Sequence, residues 1–280
     1  MLKSRLCIAF FAFAVGCAPA QKPLTDYVNP MLGTATLWDS VDLGFKPTKR
    51  TWGAEVFPGS SLPNAMVQVS PVTKFHSGAG YQYEDSVIYG FTHTNKGHWN
   101  LCHIPLLPVT GTPTPGDYCS PFSHERESAA PGYYQVFLDR YGVDAQLSST
   151  LRCAFHKYTY PAGAAASLLA DLQRSNEHVR AWDIRKEGDN VFAGWQQTGE
   201  KMYFYAVANR PVTGIEPVVE GDREVRIVRF GEGDGALELR IGFSFVSEKN
   251  ARENLEAEML GKSFAEVRSE ATATWNDLLG

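Results

Sequence analysis

The stretch Val143-Asp144-Ala145-Gln146-Leu147-Ser148-Ser149-Thr150-Leu151-Arg152-Cys153-Ala154-Phe155 decides the fold class. Val143, Ala145, Leu147, Leu151, Cys153 and Phe155 fall on odd positions, with Asp144, Gln146, Ser148, Thr150 and Arg152 between them. Successive side chains of a strand point to opposite faces, so this alternation predicts a half-buried β-strand with Cys153 on its core face. The same period returns at Leu237, Leu239, Ile241, Phe243 and Phe245. Shorter runs at 179–184, 191–196, 202–208 and 223–230 are further strand candidates. Turn chemistry such as Glu187-Gly188-Asp189-Asn190 and Gly231-Glu232-Gly233-Asp234-Gly235 separates them.

Towards the N-terminus, residues 26–112 are rich in Gly, Pro and aromatics, with apolar stretches at 65–69 and 104–109. These read as short strands between long loops. Beyond Ser247 the pattern turns helical. Residues 250–259 form one candidate helix, and Ser263-Phe264-Ala265-Glu266 is a capping box opening a second. On that second helix Phe264, Val267, Ala271, Trp275 and Leu278 recur at three- and four-residue spacing. The expected architecture is therefore mainly β: an antiparallel β-sandwich over residues 21–247, followed by C-terminal linker helices over 248–280. The apolar stripe running to Leu278 either packs on its own sandwich or faces a partner domain absent from this chain.

A composition 44% hydrophobic and 20% charged over 280 residues supports a substantial core and excludes overall disorder. The formal charge of -5 is spread without long single-sign runs, so no basic patch points to nucleic acid and no polybasic stretch to anionic lipid. At the N-terminus, Lys3 and Arg5 precede an apolar run at 6–15 that is too short to span a bilayer, the pattern of a secretory signal over residues 1–20. Two processing sites compete. Ala14-Val15-Gly16-Cys17 resembles a lipobox that would leave Cys17 lipidated, while Ala18-Pro19-Ala20 fits ordinary cleavage after Ala20. Either reading predicts an exported protein of a bacterium, in the periplasm or as an outer-membrane or cell-surface lipoprotein, touching a membrane only through a lipid on Cys17.

Discounting Cys7 and Cys17 leaves Cys102, Cys119 and Cys153, an odd number that makes no disulfide framework. A Cys102–Cys119 bridge stays open, and Cys153 reads as a small buried apolar residue. No nucleophile elbow, phosphate loop, dinucleotide fingerprint or H-E-x-x-H is present. His93, His98 and His103, five residues apart beside Cys102, fit no zinc spacing and read as hydrogen-bonding loop residues. Glycoside hydrolysis requires two facing carboxylates. Glu84, Asp85, Glu125 and Glu127 read as solvated or capping groups rather than such a pair. The richest stretch is Phe91-Thr92-His93-Thr94-Asn95-Lys96-Gly97-His98-Trp99-Asn100. A Trp flanked by His and Asn in a Gly-containing loop suits a sugar platform, since the ring receives the apolar face of a pyranose and the polar neighbours bind hydroxyls; a core Trp anchoring a long loop is the alternative.

An ordered series of motifs resembles the family 92 glycoside hydrolases. Tyr27-Val28-Asn29-Pro30-Met31-Leu32-Gly33-Thr34 is similar to their Y-V-N-P-F-I-G-T opening, and Leu62-Pro63-Asn64-Ala65-Met66-Val67-Gln68-Val69-Ser70-Pro71 to their P-F-G-M-V-Q-x-S-P segment. Gly80-Tyr81-Gln82-Tyr83, Gly90-Phe91-Thr92-His93-Thr94, Phe122-Ser123-His124-Glu125 and Ala130-Pro131-Gly132-Tyr133-Tyr134 follow in the family's order, as do Phe245-Val246-Ser247 and Trp275-Asn276. The resemblance implies an exported, calcium-dependent, inverting exo-α-mannosidase, built from an N-terminal β-sandwich and a larger (α/α)6 domain that meet at the active site. It implies that the catalytic acid, base and calcium ligands lie in that larger domain, and that this chain stops before it. No residue here is then catalytic or a metal ligand. Trp99 resembles the aromatic beside the leaving-group sugar in members acting on α-1,2-linked mannosides, with His98 and Asn100 as polar companions, and Glu125 as a residue shaping the interface. Mannose-containing glycans and the missing (α/α)6 domain are the partners so implied. A stand-alone carbohydrate-binding surface lipoprotein and a purely structural sandwich are the alternatives.

Overall fold

A computed structural model describes residues 22–36, 44, 56–96 and 99–280; the secretory signal, Cys17 and His98 lie outside the described residues. Two antiparallel sheets carry the fold. The eight-stranded sheet runs, in spatial order, Ala181–Gly188, Val191–Gln197, Lys201–Ala208, Leu237–Ser244, Cys153–Thr159, Val143–Ser149, Tyr133–Leu138 and Glu127–Ala130. The seven-stranded sheet runs Ser60–Ser61, Gln68–Val72, Gly90–Thr92, Leu106–Val109, Ser167–Ala170, Arg223–Phe230 and Val212–Glu220. Leu237, Leu239, Ile241 and Phe243 all join the main core, as their period predicts, together with Phe91, Tyr134, Tyr158, Phe192 and Phe204. Fully burying each large apolar side chain contributes about 1.5–3 kcal/mol before entropy is counted. Such a sandwich holds together without cross-links.

The stretch that announced the fold is two strands rather than one. Val143–Ser149 and Cys153–Thr159 form a hairpin, and Leu151 sits exposed at its turn. Leu147 pairs with His156, so His156, Ala154 and Tyr158 share the inner face with Leu147. Cys153 and Phe155 consequently point the other way. They are buried, as expected of Cys153, but in a second cluster with Tyr133, Leu255, Met259, Phe264 and Val267. Odd-numbered apolar residues thus continue across a turn while changing faces, because the turn resets the register.

Two helices cover that outer cluster: α1, Glu248–Glu258, and α2, Phe264–Leu279. Ser247 caps α1 by accepting from the amide of Asn250 at 3.1 Å. The helix lies against the backbone of Gly242, where a Cβ would collide with the Ala251 carbonyl, so a glycine permits the close approach. Glu258 ties the helix to the hairpin turn through Thr150 Oγ1 at 2.6 Å and an ion pair with Arg152. The capping box at Ser263 and Glu266 is formed. Along α2, Phe264, Val267 and Ala271 are buried on the sandwich. Trp275 donates from Nε1 to the Ser61 carbonyl at 2.7 Å, and Leu278 remains exposed. Among the described residues no helix is long and apolar enough to cross a membrane.

One alternative left open by the sequence is settled, and two features depart from its expectation. Cys102, Cys119 and Cys153 are all free thiols, so the Cys102–Cys119 bridge is not formed. The first long strand begins at Gln68 rather than 65, since the amides of Met66 and Val67 both donate to the Leu151 carbonyl, a tertiary contact that local pattern does not reveal. Val212–Glu220 is an edge strand largely exposed along its length, and it carries Pro217, which obscured its period.

Candidate functional site

Trp99 stands on a short hairpin formed by Asn95–Lys96 and Trp99–Asn100, beyond the end of strand Gly90–Thr92. Its side chain is 40% exposed, whereas Asn100 beside it is fully buried. The carboxamide of Asn100 donates from Nδ2 to the Ala79 carbonyl at 3.1 Å and accepts from the amide of Cys102 at 2.7 Å. Its backbone is gripped as well: the amide donates to the Gly78 carbonyl at 2.9 Å, and the carbonyl accepts from Asn176 Nδ2 at 2.6 Å. Sequence placed Asn100 among polar sugar contacts; the structure turns it inward, where it seats the hairpin that presents Trp99.

The segment after Trp99 is strained. Cys102 at φ 52° and Ile104 at φ 54° both adopt the left-handed region, which is costly for any side chain and most of all for a β-branched one. Hydrogen bonds over-determine these conformations. The amide of Ile104 donates to Gln196 Oε1 at 2.8 Å, and the Leu101 carbonyl accepts from Ser175 Oγ at 2.6 Å. Gln196 in turn donates to the carbonyls of Leu172 and Arg174 at 3.0 and 2.8 Å. The loop at 171–180 and the Trp99 hairpin are therefore one rigid unit.

Between the strained residues lies His103. Thr198 donates its hydroxyl proton to Glu177 at 2.6 Å, so His103 Nε2 donates to the Thr198 oxygen at 3.0 Å and its Nδ1 accepts from Thr94 Oγ1 at 2.8 Å. Burial lowers the pKa of His103 to about 4, against an opposing pull from Glu177. His93 continues inward. Its Nδ1 faces the His103 carbonyl at 3.4 Å and so donates, leaving Nε2 to accept from His156 Nε2 at 3.1 Å. His156 Nδ1 accepts from the Tyr158 hydroxyl. Burial lowers His93 to about 3 and His156 well below the ordinary imidazole value, so the buried chain is neutral. His93 and His103 are thus hydrogen-bonding residues. No group of three or more His, Cys, Asp or Glu among the described residues is placed to hold a metal.

Two hollows flank this unit. One, of about 470 Å³, is lined by Thr94, Leu101, His103, Glu177, Glu200 and Phe245 among others. The other, of about 780 Å³, lies on the far side of the 171–180 loop and is lined by His76, Arg174, His178, Arg180 and Trp182 among others. Sequence reasoning missed Glu177, Thr198 and Trp182, because only the fold brings 177 and 198 to the stem of the Trp99 hairpin. A polar loop of mixed charge at 173–180 was their one sequence signal.

The other carboxylates considered from sequence are elsewhere, and all but Glu125 are engaged. Glu84 accepts from the amide of Thr36 at 2.6 Å, and Asp85 accepts from Thr73 Oγ1 at 2.8 Å. Glu125 lies exposed in a short 3-10 turn capped by Ser123. Glu127 is not the solvated group expected. Its side chain is fully buried and accepts from Tyr81 at 3.0 Å, from Tyr134, and from His124 Nδ1 at 2.6 Å.

Comparison with known proteins gives the following. Residues 27–253 match the model of the glycosyl hydrolase family 92 N-terminal domain. A family 92 α-mannosidase of Bacteroides thetaiotaomicron, also solved in complex with mannoimidazole, is 26% identical with a TM-score of 0.79, over 92% of this chain and 38% of its own in the uncomplexed form. A family 92 inverting mannosidase of the same organism shares the fold at 23% identity and a TM-score of 0.75, over 91% of this chain and 36% of its own. A protein of Arthroderma benhamiae described as an uncharacterized secreted glycosidase is 24% identical over 91% of this chain and 38% of its own. The chain thus spans little more than a third of the length of these relatives.

Proposed function

The chain belongs to the glycosyl hydrolase family 92 N-terminal domains, and from that membership we propose that it forms one wall of the sugar cleft of an exported, inverting α-mannosidase acting on α-1,2-linked mannosides. Trp99 is the platform for the leaving-group sugar, and the catalytic acid and base are supplied by an (α/α)6 domain that this chain does not contain. The observation that carries the reading is the contrast at the hairpin: Trp99 is exposed, yet its neighbour Asn100 is completely buried and hydrogen-bonded. A half-exposed indole whose backbone is held on an immobilised seat is positioned to stack on a pyranose, because the backbone that carries it need not be ordered on binding.

In a single displacement, an acid protonates the glycosidic oxygen while a base activates water on the opposite face of the sugar. This chain contributes orientation: Trp99 fixes the plane of the departing sugar, and the rigid 171–180 loop keeps that plane in place. We assign calcium to the other domain on the family resemblance; among the described residues no three or more His, Cys, Asp or Glu side chains are grouped to hold a metal ion. Calcium there would bind sugar hydroxyls as a hard cation among oxygen ligands. Export is supported by the relative described as secreted. Lipidation at Cys17 belongs to the same proposal.

The test is hydrolysis of α-1,2-mannobiose in the presence of calcium by this chain alone and by the chain joined to a family 92 (α/α)6 domain, each with and without Trp99→Ala. Activity confined to the joined form and reduced by Trp99→Ala supports the reading. Hydrolysis by the chain alone would place the acid and base among its own carboxylates and overturn it.

A further inference from the structure

The larger hollow beside the 171–180 loop carries an unbalanced positive charge. Its lining includes Arg174, Arg180, His76 and His178, with Glu177 as the carboxylate on its wall. Glu177 is already bound to Thr198 at 2.6 Å. Most arginines among the described residues face a carboxylate, as in Arg140–Asp117, Arg185–Glu248 and Arg229–Glu216. Arg180 departs from that pattern: among the described residues its side chain, and those of His76 and His178, have no hydrogen-bond or ion-pair partner. All three are exposed. In a chain of net charge -5 counted with neutral histidines, Arg174 and Arg180 against Glu177 leave this hollow locally positive, with His76 and His178 as further unpartnered polar side chains.

The walls are fixed. His76 is held with φ at 60°, its amide donating to Asn176 Oδ1 at 2.6 Å. Asn176 also binds the Asn100 carbonyl, so the hollow is mounted on the same rigid unit as Trp99. The guanidinium of Arg174 lies over the rings of Phe75 and Tyr89 at 4.6 and 5.1 Å and donates to Tyr118, which sets its position. Trp182 supplies an aromatic surface, with Arg226 at 5.2 Å from its ring, and Gln173 and Ser175 add neutral polar groups. At about 780 Å³ the space lies within the range of small-ligand pockets, enough for a sugar residue with a substituent.

We propose that this hollow is a second saccharide site, distinct from Trp99, that takes a sugar residue bearing an anionic substituent, with Arg180 and His178 binding the oxyanion and Trp182 receiving the ring. Guanidinium and imidazole groups match phosphate or carboxylate oxygens through charge-assisted hydrogen bonds, and the aromatic wall distinguishes an acidic sugar from a bare anion. The inference rests on the reading of this chain as a glycan-binding wall. It would select acidic glycans over neutral ones.

The experiment titrates the chain with mannose 6-phosphate, glucuronic acid, mannose and inorganic phosphate by calorimetry and residue-resolved NMR, using the parent and Arg180→Gln, His178→Gln and Trp99→Ala variants. Mannose 6-phosphate is expected to bind about tenfold more tightly than mannose, a difference of about 1.4 kcal/mol. Arg180→Gln should remove that advantage and His178→Gln should reduce it, and in Trp99→Ala the binding of mannose 6-phosphate should still depend on Arg180. Glucuronic acid binding through Arg180 supports the carboxylate form of the same site. Arg180 is exposed, so an unchanged melting temperature in Arg180→Gln separates lost binding from lost folding. Equal affinity for mannose and both acidic sugars, inorganic phosphate binding as tightly as the sugar phosphate, or an acidic-sugar affinity indifferent to Arg180→Gln overturns the proposal. Failure of the Trp99 reading has a different signature: Trp99→Ala would leave neutral mannoside binding unchanged while the Arg180 effect remained.

Discussion

The α-carbon of Gly80 packs directly on the carboxamide of Asn100, so closely that a Cβ at position 80 would stand 2.5 Å from Asn100 Nδ2. Gly80 also adopts φ 77°, a left-handed conformation that disfavours every other residue. The exposed Trp99 therefore depends on a glycine nineteen positions earlier in the chain.

Gly80→Ala should consequently destabilise the protein by about 1–3 kcal/mol through strain and overpacking. It should also weaken mannoside binding although residue 80 touches no sugar. Urea unfolding and ligand titration of the same variant check both effects; an unperturbed variant in both would show that Asn100 does not need its present position.

Asn100→Ala removes the acceptor for the buried amide of Cys102, in a segment already held at positive φ. A buried donor left unsatisfied costs about 1–3 kcal/mol. The expected result is a lower urea midpoint at unchanged slope, together with faster hydrogen exchange at Cys102 and Ile104.

Stability should fall as the pH is lowered from 6.5 to 5. Unfolded imidazoles take up protons near pH 6.5, whereas buried His103 does so only at about 4 and His93 only at about 3. The unfolded state then binds more protons throughout that window, and each such histidine adds a slope approaching about 1.4 kcal/mol per pH unit. His103→Gln should flatten the dependence, read by urea unfolding at several pH values. A stability that is level between pH 6.5 and 5 contradicts the neutral buried chain.

The three thiols within the described residues should differ in reactivity. Cys102 and Cys153 are buried, and burial pushes both thiols well above the ordinary value; Cys119 is half-buried. Peptide mapping after brief alkylation of the native protein at neutral pH should find Cys119 labelled first, with Cys102 and Cys153 labelled only after unfolding.

Much of the sandwich was legible because its strands obey a period of two. Leu237 to Phe243 on one face of their strand, and the capping box at Ser263, needed no tertiary information. The hairpin at 149–153 was not legible, since apolar residues on both of its strands happen to keep odd numbers while the turn exchanges their faces. Trp99 was visible as a type of residue in a type of loop. What Asn100 does was not, because Ala79, Cys102 and Asn176 reach it only through the fold. Glu127 misled for a related reason: flanked by polar residues in sequence, it is enclosed by its near neighbours His124 and Tyr134 and by the distant Tyr81, donors that make burial of a carboxylate tolerable. The basic hollow likewise joins His76 to residues about a hundred positions away.

The most direct test of the central claim is the indole N–H resonance of Trp99, assigned by its loss in Trp99→Ala and followed while the chain is titrated with α-1,2-mannobiose. The account predicts that this resonance shifts and saturates with added mannobiose while the indole of Trp275, bound to the Ser61 carbonyl, stays in place. A Trp99 resonance that does not move while the sugar binds elsewhere on the chain would contradict it.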